Sequence, residues 1–188
     1  STPDLAGLAR NLAFSLSLYT GQMCTAPQNI YVPRGGIETP EGRKSFDEVA
    51  NAIAEGVRKL LGDPVRAVEV LGAVQNRGVL DRLDRARALG PVLLDTQVVP
   101  HPQFPDANVR TPLILKLDAR DGDKYLSEWF GPIAFVIATD STDQSLSIAR
   151  EAAKKHGALT LSLYSKDPKV VDRAIGRASC RERVSCCV

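Results

Sequence analysis

The chain has 188 residues, 44% of them hydrophobic and 24% charged, which suits one globular domain or a large part of one. Its net charge of +2, without basic runs, argues against binding to nucleic acid or to an anionic membrane surface. No apolar run approaches the roughly 20 residues that span a bilayer, and residues 1–14 lack a signal-peptide pattern. Because the cysteines are also sparse, we expect a cytoplasmic protein.

The first third of the chain begins with a helix-like pattern. Thr2, followed by proline and an acid, is expected to cap a helix that continues to about Leu18 and ends at the Gly21 turn. The apolar run NIYV at 29–32 then indicates a short buried strand.

Two further helices are predicted before the middle of the chain. Ser45 and Glu48 have capping-box spacing and open the second helix, which Gly-Asp-Pro at 62–64 is expected to end. A third helix is predicted from about Arg77 to Leu89, ahead of the strand-like VLLDT at 92–96.

The second half of the chain continues this alternation. Four prolines exclude a helix from the segment 97–112, and strand-like runs follow at 113–117 and 133–139. A helix at 141–156 and a strand at 159–164 complete the pattern. Apolar strands that alternate with amphipathic helices predict an α/β fold, a three-layer α/β/α arrangement with a mostly parallel sheet.

Cys24 is the single cysteine in the first 179 residues, and it lies between the first predicted helix and the first predicted strand. Backbone N–H groups after a glycine turn can stabilise an oxyanion, so a thiolate there could attack a carbonyl carbon. A packed core cysteine is the alternative. The position alone leaves both readings open.

The tail from Ile175 to Val188 changes abruptly to arginine, cysteine and serine without apolar periodicity. The codons of a common sequencing adapter, ATC-GGA-AGA-GCG-TCG-TGT-AGG-GAA-AGA-GTG, translate to the IGRASCRERV of residues 175–184. We therefore expect 175–188 to be a non-native tail from adapter read-through. A metal site made by Cys180, Cys186 and Cys187 has poor spacing for zinc, so we predict no metal.

Two motifs in the same order give a specific resemblance. GQMCTAPQNIYV, at 21–32, resembles the catalytic segment of the aldehyde dehydrogenase superfamily, and EWFGP, at 128–132, resembles its Glu-x-Phe-Gly-Pro motif. TPLILKL at 111–117 and HGALTLSLYS at 156–165 resemble the neighbouring segments of that family. The resemblance covers residues 1–174, which we interpret as part of an aldehyde dehydrogenase catalytic domain.

The resemblance implies a role for each motif residue. Cys24 would be the thiolate nucleophile, with its own N–H in the oxyanion hole. Glu128 would accept hydrogen bonds from the nicotinamide ribose hydroxyls of NAD or NADP, and Phe130 would pack near the nicotinamide. A solvated loop acid is the alternative for Glu128, and Gln22 is expected to shape the loop.

The two histidines could suggest a cysteine–histidine hydrolase instead. His101 lies in the proline-rich segment, and His156 lies at a predicted helix C-terminus, where a cation suits the helix dipole. We interpret both as surface or capping residues.

The mechanism that the family implies is covalent. A thiohemiacetal forms on Cys24, its hydride passes to the nicotinamide, and water hydrolyses the resulting thioester with help from a general-base glutamate. That glutamate, the oxyanion asparagine and most of the dinucleotide-binding domain would lie upstream of this chain, and a C-terminal dimer strand would be absent. We expect the full-length protein to be an active homo-oligomer, and this fragment alone to be inactive.

A finer resemblance concerns the substrate. Residues 25–29 and the loop at 34–43 resemble the aldehyde dehydrogenases of bacterial phenylacetic acid degradation, which oxidise a CoA-linked semialdehyde. Two alternatives stay open: a CoA-acylating or acyl-reducing relative, and an inactive scaffold with the same fold. The choice between NAD and NADP is also open.

Overall fold

The computed structural model describes residues 2, 4–175 and 183–187, with the backbone alone for Ile175 and 183–187. Its helices are α1 Leu5–Ser17, α2 Phe46–Leu60, α3 Pro64–Val70, α4 Arg77–Ala86, α5 Gly122–Tyr125, α6 Thr142–His156 and α7 Pro168–Ile175. Its strands are β1 Asn29–Pro33, β2 Ile37–Thr39, β3 Gly42–Lys44, β4 Val92–Leu94, β5 Leu113–Asp118, β6 Ile133–Thr139, β7 Thr160–Tyr164 and β8 Arg183–Cys187. Short 3-10 turns follow α1 at Leu18–Gly21 and α4 at Arg87–Leu89.

The central sheet has the strand order β1-β6-β5-β4. β1, β6 and β5 are parallel neighbours, and β4 pairs antiparallel with β5 at one side. The prediction of a mostly parallel sheet is therefore confirmed. The register places Asn29 opposite Phe135 and Leu113 opposite Ile133, so the three parallel strands begin at the same edge, which we call the amino edge.

Two apolar clusters cover the two faces of this sheet. Alternate side chains of β6 divide between them, because Ala134 and Val136 join one cluster while Phe135 and Ile137 join the other. The first cluster packs the sheet against α1 and α2, and the second packs it against α4, α5 and α6. This arrangement confirms the predicted three-layer α/β/α architecture.

Most of the predicted helix boundaries are confirmed by their caps. The Ser45 hydroxyl accepts a hydrogen bond from the Glu48 N–H at 3.3 Å, and the Glu48 carboxylate accepts one from the Ser45 N–H at 2.8 Å. α6 begins after Ser141, whose hydroxyl accepts the N–H of Gln144, and ends at a left-handed Gly157. No helix interrupts residues 97–112, as the four prolines predicted.

One predicted helix start is wrong, and one short helix was not predicted. Asp4, not Thr2, occupies the N-cap position of α1, because the Thr2 N–H donates to the Glu38 carbonyl and holds Thr2 outside the helix. α2 ends at Leu60, as the Gly-Asp-Pro segment predicted, but Pro64 also begins α3, with the Asp63 carboxylate accepting the N–H of Val65 at 2.9 Å. Proline is well tolerated at the first helical position, so Asp-Pro was a start signal as well as a stop.

The last strands lie outside the central sheet. β7 confirms the predicted strand near 159–164, but it pairs in parallel with β8, from Thr160 opposite Arg183 to Tyr164 opposite Cys187. The predicted tail at 175–188 falls largely on 176–182 and 188, which lie outside the described residues, as does Cys180. Among the described residues, no helix is both long enough and apolar enough to cross a membrane.

Candidate active site

The two motif segments meet at the amino edge of the sheet. Cys24 lies in the segment that leads into β1, and Glu128 lies in the segment that leads into β6. Because β1 and β6 are parallel neighbours in register, these two lead-in segments are adjacent. We call residues 21–27 the nucleophile loop and residues 125–132 the carboxylate turn.

The chain enters the nucleophile loop through a strained backbone. Tyr19, Thr20 and Gly21 have successive left-handed φ angles of 51°, 56° and 62°. A β-branched residue such as threonine rarely adopts this conformation, which persists only where surrounding contacts fix it. Thr20 is fully buried and its hydroxyl donates to the Gly72 carbonyl at 2.5 Å. The chain before α4 thus helps to set the direction of the loop.

Two glycines allow the loop and the turn to touch through their backbones. A Cβ on Gly21 would lie 2.6 Å from the carbonyl oxygen of Gly131. Gly131 has a φ of +132°, and a Cβ there would lie 2.7 Å from Cγ1 of Val79 on α4. Both distances are shorter than van der Waals contact, so a Cβ would force a shift of the backbone at Gly21 and of the Val79 side chain at Gly131.

The Gln22 side chain connects the nucleophile loop to the segment before α4. Its amide nitrogen donates to the carbonyls of Tyr19 and Ala73, at 3.2 and 3.0 Å, and its amide oxygen accepts the N–H of Gln75 at 3.1 Å. These contacts agree with the prediction that Gln22 shapes the loop.

Cys24 is exposed and lies in a turn closed by a 3.0 Å hydrogen bond from the Ala26 N–H to the Met23 carbonyl. Within the part of the chain that the structure describes, neither its thiol nor its backbone N–H has a hydrogen-bond partner. This environment differs from that of a packed core cysteine. A reactant at the sulfur would find an unused N–H donor on the same residue.

The carboxylate turn is anchored through side chains that sequence reasoning missed. The amide nitrogen of Gln28 donates to the carbonyls of Tyr125 and Ser127, at 2.9 and 3.0 Å, and its oxygen accepts the N–H of Trp129 at 2.7 Å. The Asn29 amide also donates to Tyr125, at 3.1 Å. Two carboxamides at the start of a strand were the available signal, because half-buried amides need partners.

Trp129 and Phe130 are held by a second set of contacts, from the Lys124 carbonyl and from two arginines of α4. The indole N–H of Trp129 donates to the Lys124 carbonyl at 2.8 Å, and the Arg85 guanidinium lies 5.9 Å from the centre of its ring. Arg82 donates to the Phe130 carbonyl at 2.9 Å. The turn is therefore fixed on both sides of Glu128.

Glu128 itself is exposed, and it makes no hydrogen bond or ion pair with any described residue. It lines the same cavity as Cys24, a groove of about 860 Å³. Phe130 is half-buried and does not line this cavity. The structure thus brings Cys24 and Glu128 together and leaves Phe130 aside.

Neither histidine makes a hydrogen bond with Cys24 among the described residues, although His156 lines the same cavity as Cys24 and His101 does not. His101 is half-buried, and its Nδ1 accepts the N–H groups of Gln103 and Phe104, each at 3.2 Å. His156 is exposed at the end of α6. The described residues contain no group of three or more His, Cys, Asp or Glu side chains that could hold a metal ion.

Curated relatives match most of the chain at low identity. The 3,4-dehydroadipyl-CoA semialdehyde dehydrogenase of Aromatoleum evansii is 26% identical over 175 residues, which is 88% of this chain and 32% of that protein. The lactaldehyde dehydrogenase of Escherichia coli (strain K12) is 25% identical over 180 residues, 92% of this chain and 34% of that protein. The chain therefore spans about a third of the length of these relatives.

Solved structures agree with this placement. The crystal structure of an NAD-dependent aldehyde dehydrogenase from Burkholderia multivorans is 62% identical, with a TM-score of 0.94 over 98% of this chain and 33% of that chain. An NAD-dependent benzaldehyde dehydrogenase from Corynebacterium glutamicum shares the fold, with a TM-score of 0.68 at 20% identity over 99% of this chain and 37% of that one. Residues 1–182 match the profile described as "Aldehyde dehydrogenase family". The chain belongs to the aldehyde dehydrogenase family.

Proposed function

We propose that the full-length protein containing this chain oxidises an aldehyde to an acid with NAD or NADP, through a covalent intermediate on Cys24. One observation carries the proposal: the exposed thiol of Cys24 shares a cavity with the carboxylate of Glu128, and neither that carboxylate nor the Cys24 N–H has a partner among the described residues. Relatives named as aldehyde dehydrogenases support the reaction type, and the 62% identical neighbour, an NAD-dependent enzyme, supports NAD.

Cys24 starts the reaction as a thiolate. Its sulfur adds to the aldehyde carbon, and the carbonyl π pair moves to the oxygen. The N–H of Cys24 donates to this oxyanion, which lowers the barrier because the donor is already in place before reaction. Loss of hydride from the thiohemiacetal carbon leaves a thioester. Water then attacks the thioester, releases the acid and returns the thiol.

Glu128 is the cofactor-binding residue of the proposal. A carboxylate accepts two hydroxyl hydrogen bonds, and this one has no competing partner among the described residues, so it fits the ribose of a nicotinamide nucleotide. When bound, the cofactor supplies the hydride acceptor. The packing role of Phe130 stays part of the proposal, although its ring does not line the cavity in this chain.

From the family resemblance, we expect the general-base glutamate, the oxyanion asparagine and most of the dinucleotide-binding domain to lie upstream of this chain. The proposal therefore assigns turnover to the full-length protein, acting as a homo-oligomer in the cytoplasm, and predicts none for residues 1–188 alone. It also keeps the non-native origin of residues 175–188, which the reading frame of the source gene would test.

A CoA-linked semialdehyde is our proposed substrate class. The similarity to a relative named as a 3,4-dehydroadipyl-CoA semialdehyde dehydrogenase supports it, at 26% identity. The cavity continues along β1 from Cys24 to Ile37 and Arg43, which leaves room for a long substrate. A link to phenylacetate degradation would follow from that substrate.

The decisive experiment compares NAD(P)H production by the full-length protein and its Cys24→Ala variant. We expect turnover to be lost in the variant, while its free energy of unfolding changes by less than about 0.5 kcal/mol because the side chain is exposed. Equal turnover by the two proteins would refute the nucleophile assignment. Product analysis with added CoA separates the acyl-transferring alternative, which would release an acyl-CoA instead of an acid.

A further inference from the structure

We propose that Gln28 is a positioning residue that couples the nucleophile loop to the carboxylate turn. This inference rests on the proposed function, since it assigns Cys24 to the chemistry and Glu128 to the cofactor. Gln28 lines the same cavity as Cys24 and Glu128, and the role assigned to it acts through the backbone of the turn.

The Gln28 side chain uses both ends of its amide on the turn. Its nitrogen donates to the carbonyls of Tyr125 and Ser127, and its oxygen accepts the N–H of Trp129 at 2.7 Å. These three contacts bracket Glu128, because they fall on both of its chain neighbours. A shift of the turn therefore moves the amide, and a shift of the amide moves the turn.

The same residue is bound to the nucleophile by the chain. Gln28 lies four positions after Cys24, while its partners lie 97 to 101 positions away. Its own carbonyl accepts the Phe135 N–H at 2.8 Å, which fixes its backbone to β6. Within the described residues, one further side-chain hydrogen bond joins the start of β1 to the carboxylate turn, from the Asn29 amide to the Tyr125 carbonyl.

This connection predicts that cofactor binding changes the reactivity of Cys24. A ligand on Glu128 restrains the carboxylate turn, and Gln28 transmits that restraint to the loop that carries the thiol. Such a coupling is reciprocal in free energy and is commonly worth about five- to 150-fold in affinity or exposure of the second site. The side chains of Thr20 and Gln22 do not connect the two segments, because both bind the chain before α4. Gly21 contacts Gly131 through the backbone, without a hydrogen bond between the two residues.

The test uses the full-length protein and measures Cys24 without turnover. Iodoacetamide alkylates Cys24 with and without NAD, and mass spectrometry follows the tryptic peptide 11–34, in which Cys24 is the single cysteine. Gln28→Met keeps the size of the side chain but removes all three hydrogen bonds, and Gln28→Ala also removes its packing. Gln103→Ala is the matched control, because the side chain of Gln103 is exposed and makes no hydrogen bond with a described residue.

We expect NAD to change the wild-type alkylation rate by roughly fivefold or more, and this effect to fall to near onefold in Gln28→Met. The variant should also lose roughly tenfold or more in kcat, with a smaller change in the KM of the aldehyde. Gln103→Ala should keep the wild-type NAD effect. If Gln28→Ala fails to fold, Gln28→Met still decides the question. Asn29→Ala removes the single hydrogen bond of Asn29 to the turn, so it should reduce the NAD effect less than Gln28→Met does.

Three results would overturn the inference. They are an alkylation rate that NAD does not change in the wild type, a wild-type NAD effect in Gln28→Met, and a Gln28→Met variant that loses only stability. Failure of the proposed function itself is recognised separately, as equal turnover by the wild type and Cys24→Ala.

Discussion

The two edges of the parallel sheet differ in whether their polar side chains pair with other described residues. At the carboxyl ends of the strands, Arg34 pairs with both Asp118 and Asp140, and Arg120 pairs with Asp118. At the amino edge, Cys24 and Glu128 make no such contacts with described residues. There, hydrogen bonds and close contacts hold the backbone instead, while the side chains of the two candidate site residues have no partner in the described part of the chain.

We infer that the paired side chains at the carboxyl edge contribute to stability, whereas the amino edge presents the candidate site residues. Carboxylates and guanidinium groups that already pair with one another at the carboxyl edge are less available to bind a ligand. The amino edge fixes the positions of its loops through amides, glycines and a strained turn, so a thiol and a carboxylate can be presented without partners of their own. Substitutions should therefore affect stability and activity differently at the two edges.

The largest effect on stability is expected from Gly21→Ala. Its Cβ would combine a left-handed φ of +62° with a contact of 2.6 Å to the Gly131 carbonyl. The conformation costs about 1–2 kcal/mol and overpacking about 1–3 kcal/mol more, so we expect a loss of roughly 3 kcal/mol in the free energy of unfolding. Urea denaturation measures it.

Gly157→Ala is the matched control for this substitution. Gly157 has a similar φ of +75°, but a Cβ there would meet no atom within 4 Å. We expect it to cost only the conformational part, about 1–2 kcal/mol. Equal losses in the two variants would show that the contact between the loop and the turn does not matter for stability.

Local signals in the sequence predicted most of the fold. The capping box at Ser45, the left-handed Gly157 and the apolar strand at 133–139 each act through near neighbours, and each is present as predicted. Asp4 was missed as the N-cap because the Thr2 backbone bonds to Glu38, which is distant in sequence. Partnerships of that kind leave no periodic trace in a single chain.

The candidate site shows the same difference between local signals and contacts that are distant in sequence. The resemblance predicted roles for Cys24 and Glu128, and parallel pairing of β1 with β6 explains why residues so far apart in sequence share one cavity. Gln28 could not be identified, because its role depends on carbonyls about 100 positions later. The two carboxamides at the start of β1 signal that partners are needed, but a side chain that binds backbone does not reveal those partners until the fold is known.

A smaller effect with a pH signature is expected from Asp118→Asn. The Arg120 side chain, the Arg120 N–H and the Arg34 side chain hold the pKa of Asp118 well below its usual range. A carboxylate with a lowered pKa in the folded state adds stability above its unfolded pKa of about 4, and this stability is lost as the pH falls toward the folded value. The wild type should therefore lose its advantage over Asp118→Asn below about pH 4.

Asp84→Asn gives the comparison for this prediction. Asp84 is exposed on α4 and has no ion pair among the described residues. Urea denaturation from pH 7 to pH 3 should show a difference that shrinks toward acid for Asp118→Asn and stays flat for Asp84→Asn. A flat difference for both variants would remove the stabilising role that we assign to the carboxyl edge.

The smallest effect on stability is expected from Glu128→Gln, at the amino edge. The side chain is exposed and pairs with no described residue, so the free energy of unfolding should change by less than about 0.5 kcal/mol. In the full-length protein, however, the amide would replace a charged acceptor for ribose hydroxyls, and charge-assisted hydrogen bonds are roughly twice as strong as neutral ones. We therefore expect weaker NAD binding with unchanged stability, measured by calorimetric titration and urea denaturation. A loss of stability without a loss of affinity would mean that Glu128 belongs with the paired acids of the carboxyl edge, and the contrast between the two edges would fail.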